Sequence, residues 1–453
     1  MPSSDDNDGN VADFDLVIVG GGILGISLSF WISQVTESRV CLIDENSTIA
    51  SGTSDLNSGM VEGPFFYEPS TMGIFGTTVS RSRKLWRIMR ERFSVPWREV
   101  GSLELAVDEE SMGIVEKHYG YSQAYDDASS IKILDKNELK ELEPGLNAVG
   151  ALFSKMDAAT EFRRLSEIIG DLAVRRGVKF ITNTRATALK EDGDFVYVST
   201  ISNGKRGTFR AKYALNVAGP AALPLAHSMR VAKGLADFYV GSYYWELDDR
   251  SNSLFSHHIY AISKYSSKYP FLDPYLTVRA NGRREMGPKP FLVGSPDYIN
   301  YGGQLGSLQG LFSRPILPKL KLLTNGEFLG LLYGIKGNLF SEGTIVSKVK
   351  RFLPAIRKEA LKRKYRAGKR SLIVGNGGLI HPTSIAHTPK TIHVLQYYEP
   401  GATGTPSFSA LLAKYIIDQW DIGKARITQP DENIWNFDQA TDIAMADLTG
   451  LFI

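Results

Sequence analysis

Three features of the sequence predict an α/β protein with a nucleotide site at its start. An apolar strand pattern, FDLVIV, runs straight into glycines at positions 20, 22 and 25; a helix pattern follows; and a second apolar strand, RVCLID, closes on Asp44. This order of strand, G-x-G-x-x-G, helix and strand is that of a Rossmann-like dinucleotide unit. Gly20 allows the tight turn, Gly22 lets the backbone approach a pyrophosphate, and Gly25 lets helix and strand pack closely. The helix start, at Ile23 and Leu24, offers unpaired N–H groups and the positive end of the helix dipole to phosphates. Asp44 follows Gly25 by 19 residues, near the ~20 expected for the acid that holds a ribose hydroxyl, and Glu45 stands beside it.

The bulk properties bound what surrounds that unit. With 453 residues the chain is long enough for two or three lobes. Its 43% apolar and 22% charged residues are ordinary for a globular protein. A net charge of +3 gives no argument for nucleic acid. The single cysteine, Cys41, excludes an intrachain disulfide, fits a reducing compartment and sits in an apolar run as a small core residue. Residues 1–12, MPSSDDNDGNVA, read as a disordered acidic tail, without the basic start or apolar run of a secretory signal. No apolar run reaches the length of about 18 residues that a helical membrane span needs.

After Asp44 the pattern departs from an NAD dehydrogenase, which would continue in alternating strands and helices. Instead comes a loop of small residues, SGTSDLNSGMVEG, carrying Ser51, Thr53, Ser54, Asn57, Ser58, Gly59 and then Glu62. Aromatic and proline-rich sequence follows, then a charged helix, VSRSRKLWRIMRERF. A second glycine-rich element arrives only at residues 397–420, YYEPGATGTPSFSALLAKYIIDQW. There Gly401, Ala402, Thr403, Gly404 and Thr405 precede a helix predicted to begin near Pro406, since proline is favoured in a first turn. A second helix N-terminus suits a flavin, whose reduced form carries negative charge near its pyrimidine edge. The reading is therefore FAD rather than NAD, with an ordinary Gly/Pro turn as the competing explanation of the later element.

Six stretches together resemble the D-amino-acid-oxidase-like FAD superfamily, and within it the L-2-hydroxyglutarate dehydrogenases and malate:quinone oxidoreductases. They are DLVIVGGGILG; SGTSDLNSGMVEG; TEFRRLSEIIGDLAVRRGVKFITNT; AKYALNVAGPAALPLA; GSYYWEL with KYPFLDPYLTVRANGRREMGPKP; and YYEPGATGTPSFSALLAKYI. The resemblance implies an α+β architecture overall: a discontinuous FAD-binding domain over 13–78, 145–228 and 370–425, with an inserted substrate domain over 79–144 and 229–369. The substrate domain would hold a mixed or antiparallel sheet with helices, and 426–453 would be a C-terminal extension. It also implies that Ala218 and Gly219 pass near the ADP part of FAD and that Gly401–Thr405 sit at the isoalloxazine. The hydroxyls and amide of Ser51, Thr53, Ser54 and Asn57 would line the pyrophosphate and ribityl side, turn capping being their alternative role. Two positions depart from the pattern: relatives carry His where Glu62 and Tyr275 stand here, which leaves substrate and base open.

Oxidising a 2-hydroxyacid such as malate or 2-hydroxyglutarate needs its C2 hydrogen at flavin N5, a base for the hydroxyl proton and cations for the carboxylates. Candidate bases are Glu62, His381 in GNGGLIHPTS, and His258. Arg279, in LTVRANG, and Arg283 are candidate carboxylate ligands, because a guanidinium matches the anion bidentately. Strand alternation puts Arg279 on one face with Thr277 and Tyr275, and Tyr243 and Tyr244 are candidate walls of the substrate site. No H-E-x-x-H, Cys/His cluster or G-x-S-x-G is present, so no metal or serine-nucleophile chemistry is expected.

Between Arg314 and Arg370 there are 15 Lys/Arg against 3 Asp/Glu. This basic, partly apolar segment, expected to end in the helical KVKRFLPAIRKEALKRKYR, is drawn to an anionic bilayer by about 1 kcal/mol per cation. The expectation is a cytoplasmic protein, peripheral on the inner face of the cell membrane, with a quinone as electron acceptor and no nucleic-acid partner. A solvated basic helix is the plainer reading. The rival functions are an amine-oxidising flavoenzyme of sarcosine, glycine or proline type, a glycerol-3-phosphate dehydrogenase, and a flavin-binding scaffold without turnover.

Overall fold

The computed structural model describes residues 12–126, 128–262, 273–293, 326, 342–366, 368–375, 378–380, 383–397, 401–426 and 434–453. The acidic tail up to residue 11, His381 and nearly all of 314–341 lie outside the described residues. In the described part of the expected basic helical segment, Gly343–Lys350 is an α-helix, but Leu361–Arg366 is a strand, because pairing with Ala236–Leu247 overrides the local helix pattern.

The strand Ala12–Val19 is the axis of a sheet that has eight strands among the described residues. It pairs in parallel with Val40–Ile43 on one side and Lys205–Asn216 on the other. Lys179–Ile181 and Thr391–Gln396 extend the parallel region outward. Strands covered on both faces become continuous apolar runs, and VCLI is buried at all four positions. The helix Ile23–Val35 is buried at all but one of its residues. It is apolar all round because it packs between this sheet and the helices Phe162–Arg175 and Gly401–Gln419.

Among the described residues a second sheet, of ten strands, is largely antiparallel around Ala236–Leu247. One parallel pair, His258–Ala261 with Ser102–Ala106, makes it mixed, as expected. A three-stranded ribbon, Met60–Val61, Ala158–Thr160 and Trp97–Glu99, carries the residue of greatest interest, Glu62, at its end.

Packing moves the expected domain limits at three places. The helix Pro69–Arg92 runs through the boundary at 78 and lies against Gly401–Gln419, placing Val79, Leu85, Trp86 and Met89 in the nucleotide-side core. The strands Gly150–Ser154 and Arg370–Gly375 pair within the ten-stranded sheet. The described part of 426–453 is no appendage: Trp435 packs its ring 5.6 Å from both Trp31 and Trp86. Buried tryptophans recruit whatever chain segment covers them, and sequence continuity does not decide which one.

The late helix begins at Gly401, five residues before the predicted start at Pro406. Proline lacks the N–H that would bond one turn back, and tertiary donors hold the turn together instead. Trp86 Nε1 donates to Thr403 O at 2.9 Å, Ser82 Oγ to Gly404 O at 3.0 Å, and Trp31 Nε1 to Pro406 O at 2.8 Å.

Candidate active site

The glycine turn is a cradle that side chains would fill. Gly20 has φ +116°, and a Cβ there would lie 2.5 Å from Val217 O. A Cβ on Gly25 would lie 2.0 Å from Gly20 O. Gly22 heads the helix with extended backbone and no side-chain cap, the arrangement that leaves first-turn N–H groups for an anion. The Ser54 hydroxyl accepts from Ile23 N–H at 2.9 Å. Asp44 accepts from Gly21 N–H at 2.6 Å, so this carboxylate sits over the glycine turn, while Glu45 is exposed and 3.8 Å from Arg185. The turn holding Ala218 and Gly219 abuts Gly20. The donor set and the space suit an extended dinucleotide.

The loop between this cradle and Glu62 is tied to the late helix. Thr403 Oγ1 donates to Met60 O at 3.1 Å and accepts from Glu62 N–H at 3.2 Å. Glu62 lies deep in the protein yet keeps some accessible surface. Tyr260 Oη donates to its Oε1 at 2.5 Å. Burial pushes the Glu62 carboxyl up to about 7; the Tyr260 donor opposes the rise and the nearby Asp157 carboxylate adds to it. Beside Tyr260 the ring of Tyr275 lies 5.4 Å away, and Tyr275 Oη is 2.5 Å from Tyr244 Oη. Burial pushes Tyr275 up to about 12, and the Arg370 guanidinium is close enough to Tyr244 and Tyr275 to oppose the rise of both. The result is a carboxyl group that titrates near neutrality, walled by phenols, at the N-terminal end of a long helix.

The family model described as FAD dependent oxidoreductase (DAO) matches residues 15–415, most of the chain. The chain belongs to the DAO family of FAD-dependent oxidoreductases. The L-2-hydroxyglutarate dehydrogenase of Escherichia coli K12 is 23% identical over 398 residues, covering 86% of this chain and 90% of its own. Among solved structures, the L-alpha-glycerophosphate oxidase of Mycoplasma pneumoniae with FAD bound superposes with a TM-score of 0.71 at 18% identity, covering 94% of this chain and 98% of that one. The glycine oxidase of Geobacillus kaustophilus gives 0.65 at 17%, covering 91% and 97%. At these identities the solved structures establish the shared fold. The cofactor of this oxidoreductase is FAD, and Gly20, Gly22, Gly25, Asp44 and the turn at Ala218 are the residues that fit it.

Several expected site residues of the oxidoreductase have other partners. Ser51 Oγ donates to Thr48 O at 2.8 Å and Asn57 bridges Ser54 O and Gly59 N–H, which shapes the loop, while Thr53 Oγ1 donates to Lys369 O at 2.9 Å and ties the loop to a distant segment. Ser58 hydrogen-bonds Tyr275. Gly59 admits the Arg279 guanidinium, which a Cβ would approach to 2.9 Å. Arg279 lies just past its strand, donates to Asn57 O at 2.9 Å and pairs with Glu285 at 3.8 Å, holding the cofactor-side loop in place of an anion. Arg283 is exposed and paired with Glu246 at 3.5 Å, a surface ion pair and not a carboxylate ligand of the site. Tyr243 stacks on Phe291 at 4.5 Å under the Lys364 ammonium; its neighbour Tyr244, on the other face of the strand, is the one that reaches Tyr275. His258 is fully buried, its Nδ1 accepts from Val278 N–H, and burial pushes its pKa down to about 3, too low for a base at neutral pH. Tyr260, Asp157 and Arg370 escaped the sequence reading. Only the alternation that puts Tyr260 on the face of His258 hinted at one of them.

Proposed function

We propose that this oxidoreductase oxidises a small 2-hydroxyacid of the malate or 2-hydroxyglutarate class, with Glu62 taking the hydroxyl proton. The observation that carries this reading is the Glu62 carboxyl beside the start of the late helix, poised near pH 7, where a general base works best. Bound FAD supplies the two-electron acceptor for the C2 hydrogen. As the C2–H pair of electrons leaves, the hydroxyl oxygen closes to a carbonyl and its proton passes to Glu62 Oε. Tyr260 holds that carboxylate in position through the 2.5 Å bond. Arg370, close to Tyr244 and Tyr275, is the cation assigned to a substrate carboxylate, with the two phenols as further donors. The similarity to the Escherichia coli enzyme over most of both chains supports the substrate class.

The acceptor assigned is a quinone, and the exposed cations Lys350, Arg351, Arg357, Lys358, Lys362 and Arg363 support approach to an anionic membrane face. The test is anaerobic mixing of the purified yellow protein with candidate substrates. Bleaching by L-2-hydroxyglutarate or malate, followed by re-oxidation with a soluble quinone faster than with oxygen, is the expected outcome. Bleaching by glycine, sarcosine or glycerol 3-phosphate alone overturns the substrate class, and bleaching by none leaves a flavin scaffold. Arg370→Met is expected to raise KM for the dicarboxylate about 10- to 100-fold, the worth of one charge-assisted contact. An unchanged KM removes Arg370 from the site.

A further inference from the structure

Behind Glu62 lies a second carboxylate that the reaction does not touch. The ribbon register pairs Met60 with Ala159 and Val61 with Ala158, so the next opposed positions are Glu62 and Asp157. Like charges directly opposite in an antiparallel pair are unfavourable. Asp157 is nonetheless fully buried and its carboxylate is fully engaged. It accepts from Arg83 Nη2 at 2.9 Å, from Ser102 Oγ and Ser154 Oγ at 2.6 Å each, and from Gly63 N–H. Gly63 makes that approach possible, since a Cβ there would lie 2.8 Å from Ser154 Oγ and 3.3 Å from Asp157 Oδ1. The backbone of the residue after Glu62 is thereby tied to the helix Pro69–Arg92 and to two strands of the second sheet. A buried ion pair gives little stability that apolar packing would not, and a local conflict of this kind is expected where function requires it.

We propose that Asp157 is a positioning residue for Glu62: it clamps the Gly63 backbone and, paired with Arg83, places its carboxyl group behind that of Glu62. This rests on the reading of Glu62 as the base. The titratable groups facing Glu62 are Tyr260 and Tyr275 from adjacent strands and Asp157 from the opposed turn, with Arg83 as its counter-ion. The late helix contributes the Thr403 hydroxyl. Asp157 opposes ionisation of Glu62, in the same sense as burial.

The experiment compares Asp157→Asn and Glu62→Gln holoenzymes with the parent. It follows anaerobic flavin reduction against pH, and in parallel the protonated-carboxyl band of Glu62 by infrared difference spectroscopy. Asp157→Asn is expected to move the midpoint of both titrations down by about one pH unit and to lower the limiting rate with KM unchanged. A midpoint that stays in place, while Glu62→Gln abolishes the pH step, overturns the role of Asp157 and leaves Glu62 as base. A pH step that survives in Glu62→Gln overturns the base reading itself. If Asp157→Asn does not fold, Asp157→Asn combined with Arg83→Met is expected to move both midpoints down by less, because loss of the Arg83 cation offsets part of the change; no downward movement overturns the role of Asp157.

Discussion

Glu62→Gln is expected to retain FAD and to slow flavin reduction by about 10²-fold or more, the usual worth of a general base. The side chains are nearly isosteric, and the amide oxygen still accepts from Tyr260, so the geometry of the pocket is kept while the proton acceptor is lost. In the parent the rate should rise with pH through about 7 as Glu62 ionises; in the variant that step should vanish. Stopped-flow reduction under anaerobic conditions measures both, and an unchanged rate removes Glu62 as the base.

The same substitution has a signed effect on stability. The folded pKa of Glu62, about 7, lies above that of an unfolded glutamate. Between the two values the folded protein binds the extra proton, so stability falls as pH rises through this window. Glu62→Gln escapes that loss. It should match the parent near pH 4 and exceed it above pH 7 by about 2 kcal/mol, allowing for the partial exposure of Glu62. Thermal melts of the FAD-free proteins at the two pH values read this directly. Equal stability above pH 7 would mean that the carboxyl is ionised without strain.

The second large effect separates the cradle from the fold. A Cβ on Gly22 meets only the Ser54 hydroxyl, at 3.2 Å, and Gly22 has an ordinary extended backbone. Gly22→Val should therefore fold, with an FAD-free melting temperature close to that of the parent, but its side chain occupies the approach to the helix N-terminus. FAD occupancy below about a tenth is expected, since phosphate binding there depends on backbone contact. Gly25→Val differs in kind: its Cβ meets backbone oxygen at 2.0 Å, and overpacking of this sort costs about 1–3 kcal/mol or more. It should lose both stability and cofactor. Full occupancy in Gly22→Val would move the pyrophosphate away from this turn.

The parts of the protein that depend on neighbours in sequence were legible from the sequence. The strand, glycine turn, helix and Asp44 lie within about thirty residues: Gly25 answers the close approach of Gly20 O, and Asp44 reaches back to Gly21 N–H. Glu62 stood out because it is a carboxylate near the end of a loop of small residues, at a position where relatives carry His. The start of the late helix was misplaced because Pro406 is a local signal, whereas Trp31, Ser82 and Trp86, hundreds of residues away, supply the hydrogen bonds that extend the helix past it.

What only the tertiary structure decided is who stands next to Glu62. Tyr260, Tyr275 and Tyr244 come from three strands of one sheet, and Asp157 from the turn that the ribbon register sets opposite. Arg279 and Arg283 had the right chemistry for a carboxylate, but one turned toward Asn57 and Glu285 and the other toward solvent and Glu246. A residue type and its spacing determine what a group is able to do. The pKa and partner that make it do so arise from burial and long-range pairing, and these exist only once the sheets have closed around it.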